Sequence, residues 1–240
     1  PIIASKIEEQ NNPSIQLTLS DKDFDYLDSN KKEFVKTVLP IIINENQNIL
    51  MTRSFVNELK DKLETFRTLN NNEIRKLNDI AQKYNIKYQN KHKLDLVDEI
   101  LSNVDVIPNS IVLAQAAIES GWGKSRFAKE YNALFGEYTY DDSEGVIPLE
   151  RENGDTHLIK AFSSYSNSVE SYFDNINSHY AYEEFRDIRN IMRKRNNFSN
   201  VNLLVNKLST YAEDENYIKT IRQVIKTNNF GIFDQKTISY

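Results

Sequence analysis

The chain contains no cysteine, which removes disulfides, thiol catalysis and zinc–thiolate sites together. It has no run of about 18 apolar residues, so no segment reads as a membrane-spanning helix. Basic charge is not in excess: 30 Lys and Arg stand against 35 Asp and Glu, for a net charge of −5. No overall field therefore draws the molecule to nucleic acid or anionic lipid. His92, His157 and His179 lie far apart and lack the paired spacing of a zinc hydrolase, so no metal or other cofactor is expected. There is no phosphate-binding loop, and the Ser120 environment is not a nucleophile elbow. Glycine is scarce, with six in 240 residues, and five of the six fall between Gly121 and Gly154. Glycine serves where a chain turns tightly or comes close to something, so that span is either a set of loops or the edge of a site. A chain beginning with Pro1 rather than Met reads as processed or truncated, with any signal peptide already removed.

What is present is mostly helical patterning. The 39% hydrophobic and 27% charged fractions fit a globular protein with a sizeable core. Residues 1–30 begin without helical periodicity and read as an extended arm or linker. From Lys31 the spacing of Phe34, Val35, Val38, Leu39, Ile42 and Ile43, continuing through Ile49, Val56, Leu59, Leu63 and Phe66, marks an amphipathic stripe. Pro40 inside it predicts a kink or two successive helices. Asn71 and Asn72 are expected to cap the next helix, and KHKLDLVDEILSNV repeats the pattern. A further helix opens after Pro108, with Asn109 or Ser110 as its cap, and ends near Glu119 to Gly121. Residues 137–162 then alternate short apolar runs with turn signals and predict a hairpin or three short strands. Helical spacing resumes from Ser166.

The stretch AQAAIESGWG places Glu119 on the same face as Val112, Gln115 and Ala116. A carboxylate on that small, largely apolar face loses hydration, which raises its pKa, as a general acid near neutral pH requires. A glutamate in the last turn also opposes the helix dipole, so the position carries a cost with no structural return. The alternative is a glutamate that simply points to water.

Residues Ala114 to Gly123, followed by Asn132-Ala133-Leu134-Phe135-Gly136, resemble the signature of the bacterial glucosaminidase family of peptidoglycan hydrolases. Lys31 to Pro40, Asn44-Glu45-Asn46 and the segment THLIKAFSSYSNSVESYFDNINSHYAYEEFRDIR resemble its Bax-type branch in Gram-negative bacteria. The resemblance implies a mainly α, lysozyme-like helical domain with a small β-hairpin lobe. On that basis residues 31–105 are an N-terminal helical extension packed on the catalytic domain, and residues 106–240 are the catalytic domain. It implies hydrolysis of the β-1,4 bond after N-acetylglucosamine in peptidoglycan glycan strands, in the periplasm or cell envelope, with Glu119 as general acid.

Most glycosidases need a second carboxylate. In the family it comes from the β-lobe ahead of an Asn-Gly turn, which points to Glu150. Glu152, Glu144 and the Asp141–Asp142 pair compete, and each is equally readable as a solvated hairpin carboxylate. Sugar faces stack on aromatic rings, so Trp122, Tyr138, Tyr140 and Tyr211 are candidate substrate contacts, with Asn132 and Phe135 from the Asn-x-Leu-Phe-Gly segment. Phe135 also suits packing beneath Glu119, Trp122 suits the core equally well, and Tyr217 is assigned to the core. Two other functions remain open: lytic transglycosylase chemistry on the same scaffold, and a non-catalytic envelope scaffold. In the latter the N-terminal helices would dock a protein partner.

Overall fold

The structure, a computed structural model, describes residues 21–147, 158–196, 200–212 and 214–234. In chain order the helices are α1 (Ser29–Glu64), α2 (Asn71–Lys83), α3 (Lys93–Asn103), α4 (Asn109–Glu119) and α5 (Arg126–Tyr131). Three short strands follow, β1 (Tyr138–Thr139), β2 (Gly145–Val146) and β3 (Leu158–Lys160). The chain then forms α6 (Tyr165–Ser178), α7 (Glu183–Lys194), α8 (Val201–Val205) and α9 (Tyr217–Thr227). The strands make one antiparallel sheet in the order β1-β3-β2, with Ile159 opposite both Tyr138 and Val146. The expected architecture, mainly helical with one small β-lobe, is the observed one. Among the described residues no helix is long and apolar enough to cross a membrane.

The amphipathic stripe forms a single helix rather than two. Helix α1 runs through Pro40 without a break. Proline removes one backbone donor, which would leave the carbonyl four residues earlier unpaired. Pro40 and Lys36 are both exposed, so that carbonyl faces water and the interruption is tolerated. The helix closes differently from the stripe's expectation at Phe66, which is 98% exposed. Phe66 takes a left-handed conformation at φ 56°, while its N–H donates to the Leu63 carbonyl and that of Arg67 to the Lys62 carbonyl. This Schellman closure turns the ring away from the core. The cap of α2 is Asn70, one residue ahead of the expected pair, in a reciprocal capping box with Glu73.

Helix α4 is the centre of the molecule: every residue from Asn109 to Ala117 is buried. A helix apolar on all sides belongs inside a core, and Ala114, Ala116 and Ala117 allow close approach of its neighbours α1 and α9. Its N-terminus is not capped by its own side chains as expected. Instead the Asp234 carboxylate, near the other end of the chain, accepts from the Ser110 backbone N–H at 2.7 Å and from its hydroxyl at 2.6 Å. A carboxylate there also complements the helix dipole.

Two buried polar clusters tie α1 to the rest. Asn46, fully buried in α1, donates to the Ile107 carbonyl and to Asn109 Oδ1, both at 2.9 Å, and accepts from the Ile107 N–H at 3.0 Å. Asp105, also fully buried, sits between α3 and α4 and pairs with Arg193 of α7 and, at 3.4 Å, with Arg53 of α1. Arg189 of α7 reaches the backbone carbonyls of Asn103 at 2.6 Å and Asp105 at 2.9 Å, and Asn177 Oδ1 of α6 at 2.7 Å. Burial alone would raise the Asp105 carboxyl. The Arg193 hydrogen bond and the charges of Arg53 and Arg189 outweigh it and hold the group below the usual carboxylate range.

Removing one partner of a buried ion pair strands the others. Asp105→Ala is therefore expected to lower unfolding free energy by about 3–5 kcal/mol, measured by urea denaturation at pH 7. Because the folded-state pKa is depressed, the contribution of Asp105 is present above the ordinary carboxylate range and is lost as pH falls through the depressed value. The difference between wild type and variant should accordingly shrink in acid.

Candidate active site

Helix α4 ends at Glu119, where its buried run first meets a cavity. Ser120 forms the C-cap, and the Gly121 N–H donates to the Ile118 carbonyl at 3.3 Å while that of Trp122 donates to the Ala117 carbonyl at 2.8 Å. This is again a Schellman closure, and it requires the left-handed φ of 56° that Gly121 supplies. The Ser120 hydroxyl holds the turn locally, donating to the Ala116 carbonyl and accepting from the Gly123 N–H at 2.8 Å. The turn carries Trp122 away from the carboxylate.

The cavity has a volume of about 630 Å³ and is bounded by Glu119, by the Phe135–Tyr138 segment, by Asn175, His179 and Tyr182, and by Thr210 to Ala212. Gly136 lies beside the acid: a Cβ there would stand 3.5 Å from Glu119 Oε2, and its φ of 63° is left-handed. The Asn-x-Leu-Phe-Gly segment thus ends on a glycine whose left-handed backbone disfavours a side chain and whose surface lies in contact with the carboxylate.

A chain of hydrogen bonds orients Glu119 from behind. The Tyr217 hydroxyl, at the start of α9, donates to Glu119 Oε1 at 2.7 Å. Gln115, one turn earlier on α4, donates from Nε2 to the Tyr217 oxygen at 3.0 Å and accepts from the Tyr172 hydroxyl at 2.6 Å. With the Gln115 amide so placed, the Tyr217 proton has one direction to go, toward the carboxylate. Burial first, and then the Glu119 charge, push the Tyr217 phenol far up, so it stays a donor. Desolvation raises the Glu119 pKa, and the Tyr217 hydrogen bond opposes part of that rise. The result is a half-buried, oriented carboxyl that holds its proton to higher pH than an ordinary glutamate.

The structure gathers some of the candidate residues and separates others. Phe135, Tyr138 and Tyr211 line the cavity with Glu119. The Phe135 ring stacks on Tyr172 at 4.3 Å and is 2% exposed, so it supports the floor. Tyr211 lies parallel to Tyr217 at 5.8 Å and donates to the Phe135 carbonyl at 3.0 Å. Tyr138 is 65% exposed at the rim. Tyr140 is exposed and does not line the cavity. Asn132 takes the left-handed position that ends α5 and donates to the Phe162 carbonyl at 2.9 Å, a structural commitment. Trp122 packs between Phe34 of α1 at 5.7 Å and Phe230 at 6.1 Å, with the Lys31 ammonium over its ring. Its position favours the core over a sugar contact.

Glu150 and Glu152 lie outside the described residues. Of their competitors, Asp141 accepts from Ser143 in a local turn, and Glu144 is exposed, 3.9 Å from Lys160. A carboxyl that sequence reasoning missed is Glu137, directly after Gly136. The Ser171 hydroxyl donates to its Oε2 at 2.9 Å, while its Oε1 is buried with no hydrogen-bond partner. Burial dominates and pushes it up to about 7. The available signal is its position, directly after the motif glycine Gly136 and ahead of the turn residues 141–145. Tyr217, assigned to the core, is buried, yet its hydroxyl reaches Glu119. Among the described residues no group of three or more His, Asp or Glu side chains could hold a metal ion.

The model of the glucosaminidase family, described as mannosyl-glycoprotein endo-beta-N-acetylglucosaminidase, matches residues 94–230. Protein bax of Escherichia coli (strain K12) is 30% identical over 211 residues, covering 88% of this chain and 74% of that protein. The peptidoglycan hydrolase FlgJ of Salmonella typhimurium is 34% identical over 92 residues, 34% of this chain and 29% of its own length. Among solved structures, the catalytic domain of the autolysin Auto from Listeria monocytogenes aligns with a TM-score of 0.42 and 19% identity, over 74% of this chain and 96% of that one.

Removing the Tyr217 hydroxyl takes away the one bond that lowers the Glu119 pKa. Tyr217→Phe is expected to move the Glu119 titration midpoint upward, read from its carboxyl carbon resonance by NMR. An unchanged midpoint would show that the hydrogen bond does not act on the carboxylate.

Proposed function

The chain belongs to the glucosaminidase family, and on that premise we propose that it hydrolyses peptidoglycan at the β-1,4 bond after N-acetylglucosamine. The observation that carries this reading is Glu119: a carboxyl with a raised pKa, oriented by Tyr217, at the wall of a groove large enough for sugar rings. Glycosidic cleavage needs a proton delivered to the leaving oxygen. A desolvated glutamate keeps that proton to higher pH than an ordinary one and can donate it, and the Gln115–Tyr217 bonds hold its other oxygen still. Tyr138 at the rim and the ring edge of Tyr211 supply apolar surface for pyranose faces.

The second carboxylate in this proposal is Glu150, on the strength of its place ahead of the Asn-Gly turn. Residues 106–240 form the catalytic unit and residues 31–105 its helical extension. The site of action is the periplasm or cell envelope of a Gram-negative bacterium, where the substrate lies.

Glu119→Gln keeps the shape of the side chain and removes the proton. It is expected to reduce release of new reducing ends from purified peptidoglycan by at least about 10²-fold, with the urea midpoint unchanged. Wild-type activity should fall as pH rises through the Glu119 pKa, since the acid must be protonated to act. Mass spectrometry of the products checks the bond. Reducing-end N-acetylglucosamine is the expected result, whereas anhydro-muramic ends would assign the site to transglycosylase chemistry. Full activity in Glu119→Gln would remove the proposal altogether.

A further inference from the structure

Beside the groove lies a second cavity of about 410 Å³ that shares Glu137, Tyr138, Asn175 and His179 with it. The two adjoin along these four residues, and the second is here called the branch. The branch is chemically unlike the groove. Its walls carry two ammonium groups, Lys83 and Lys160, and two carboxyls, Glu137 and Asp174, among small polar side chains of α6.

One acceptor in this branch is left without a donor, Glu137 Oε1, and a second, Asp174 Oδ1, has only a long ion pair, 3.4 Å from Lys83 Nζ. A buried carboxylate oxygen without a donor is costly, and such sites are completed by a ligand or by water. The lysines bridge acidic groups at the edge of the branch: Lys83 pairs with both Glu170 and Asp174. Lys160 Nζ is 3.3 Å from the Ser171 hydroxyl and 3.9 Å from Glu144, and Lys83 reaches Glu170 at an exposed edge. Complementary to this set is a ligand with N–H or ammonium donors for the carboxyls and a carboxylate for the lysines. A short charged peptide supplies both kinds of group.

The place of the branch along the chain adds a second constraint. Lys83 and Asn85 come from the end of α2 and the turn after it, whereas the family match begins at residue 94. The N-terminal helices therefore build one wall of a cavity that adjoins the groove.

We propose that this branch is a subsite for the peptide stem that leaves the glycan strand. Glu137 and Asp174 would accept from its amide or ammonium groups, and Lys83 and Lys160 would face its carboxylates. The proposal rests on peptidoglycan being the substrate. A glycan lying in the groove carries its peptides laterally, and the branch adjoins the groove to receive one. The extension then selects stem-bearing over bare strands.

The test compares kcat/KM on two substrates, glycan strands with their stems and the same strands stripped by an amidase. Lys83→Met and Asp174→Asn alter the branch and leave Glu119 and its hydrogen bonds intact. Each is expected to lose about tenfold, roughly 1.4 kcal/mol, on stem-bearing strands and to match wild type on stripped ones. Equal losses on both substrates, or none on either, would overturn the proposal. Should Asp174→Asn not fold, by its urea midpoint, Lys83→Met alone decides. If wild type cleaves neither substrate, the proposed activity fails separately. Calorimetric titration with a free tripeptide ending in a diamino dicarboxylic acid then reads the subsite directly. Binding weakened by Lys83→Met supports it, and absent or unaltered binding rejects it.

Discussion

Helix α4 is enclosed on every side from Asn109 to Ala117, so its last residue is the first point at which a charge can leave the core. That constraint arranges the site. Glu119 emerges with one oxygen committed to Tyr217 and the other beside a glycine. The same burial that raises its pKa supplies the rigidity that orients it, because Gln115 lies one turn behind on the same helix and fixes the tyrosine. Packing, protonation and position are here one arrangement of side chains. A carboxylate on a solvated helix would have none of the three.

What keeps α4 in place comes from distant parts of the chain. Asp234 accepts from the Ser110 N–H in its first turn, Asn46 of α1 pins the residues just before and at its start, and the buried Asp105 cluster joins α1, α6 and α7 around its approach. The N-terminal helices are therefore part of the frame that holds α4. Their hydrophobic residues belong to the same buried cluster as those of α4 and α9, and Trp122, turned outward from the acid by the Gly121 closure, packs against α1 at Phe34. The short segment between Gly121 and Gly123 thus serves two ends, releasing the carboxylate on one side and anchoring the extension on the other.

Much of the fold was legible from local pattern. Apolar residues at intervals of three and four mark most of the helices that form, though not the short α5, and turn residues between short apolar runs mark the small β-lobe. Caps and breaks were less legible. Pro40 reads as an interruption until its exposed setting is known, and the cap of α4 is a residue 124 positions away. Phe66 continues a periodic stripe on paper but lies past the point where the backbone reverses hand.

The site divides along the same line. By itself the sequence determined that Glu119 sits at the end of an apolar helix beside glycines, since residue type and helical period are properties of consecutive residues. Only the tertiary structure decided its partners. Tyr217, 98 residues further on, reads as one more aromatic on a helix until its hydroxyl is found on the carboxylate. Glu137 carries no local signal of burial until α6 packs against it, and Trp122 is open to either a core or a sugar role until α1 packs on its ring. The physical reason is common to all three. Hydration and hydrogen-bonding of a side chain are set by whatever is packed against it, and in a folded chain that neighbour is seldom a neighbour in sequence.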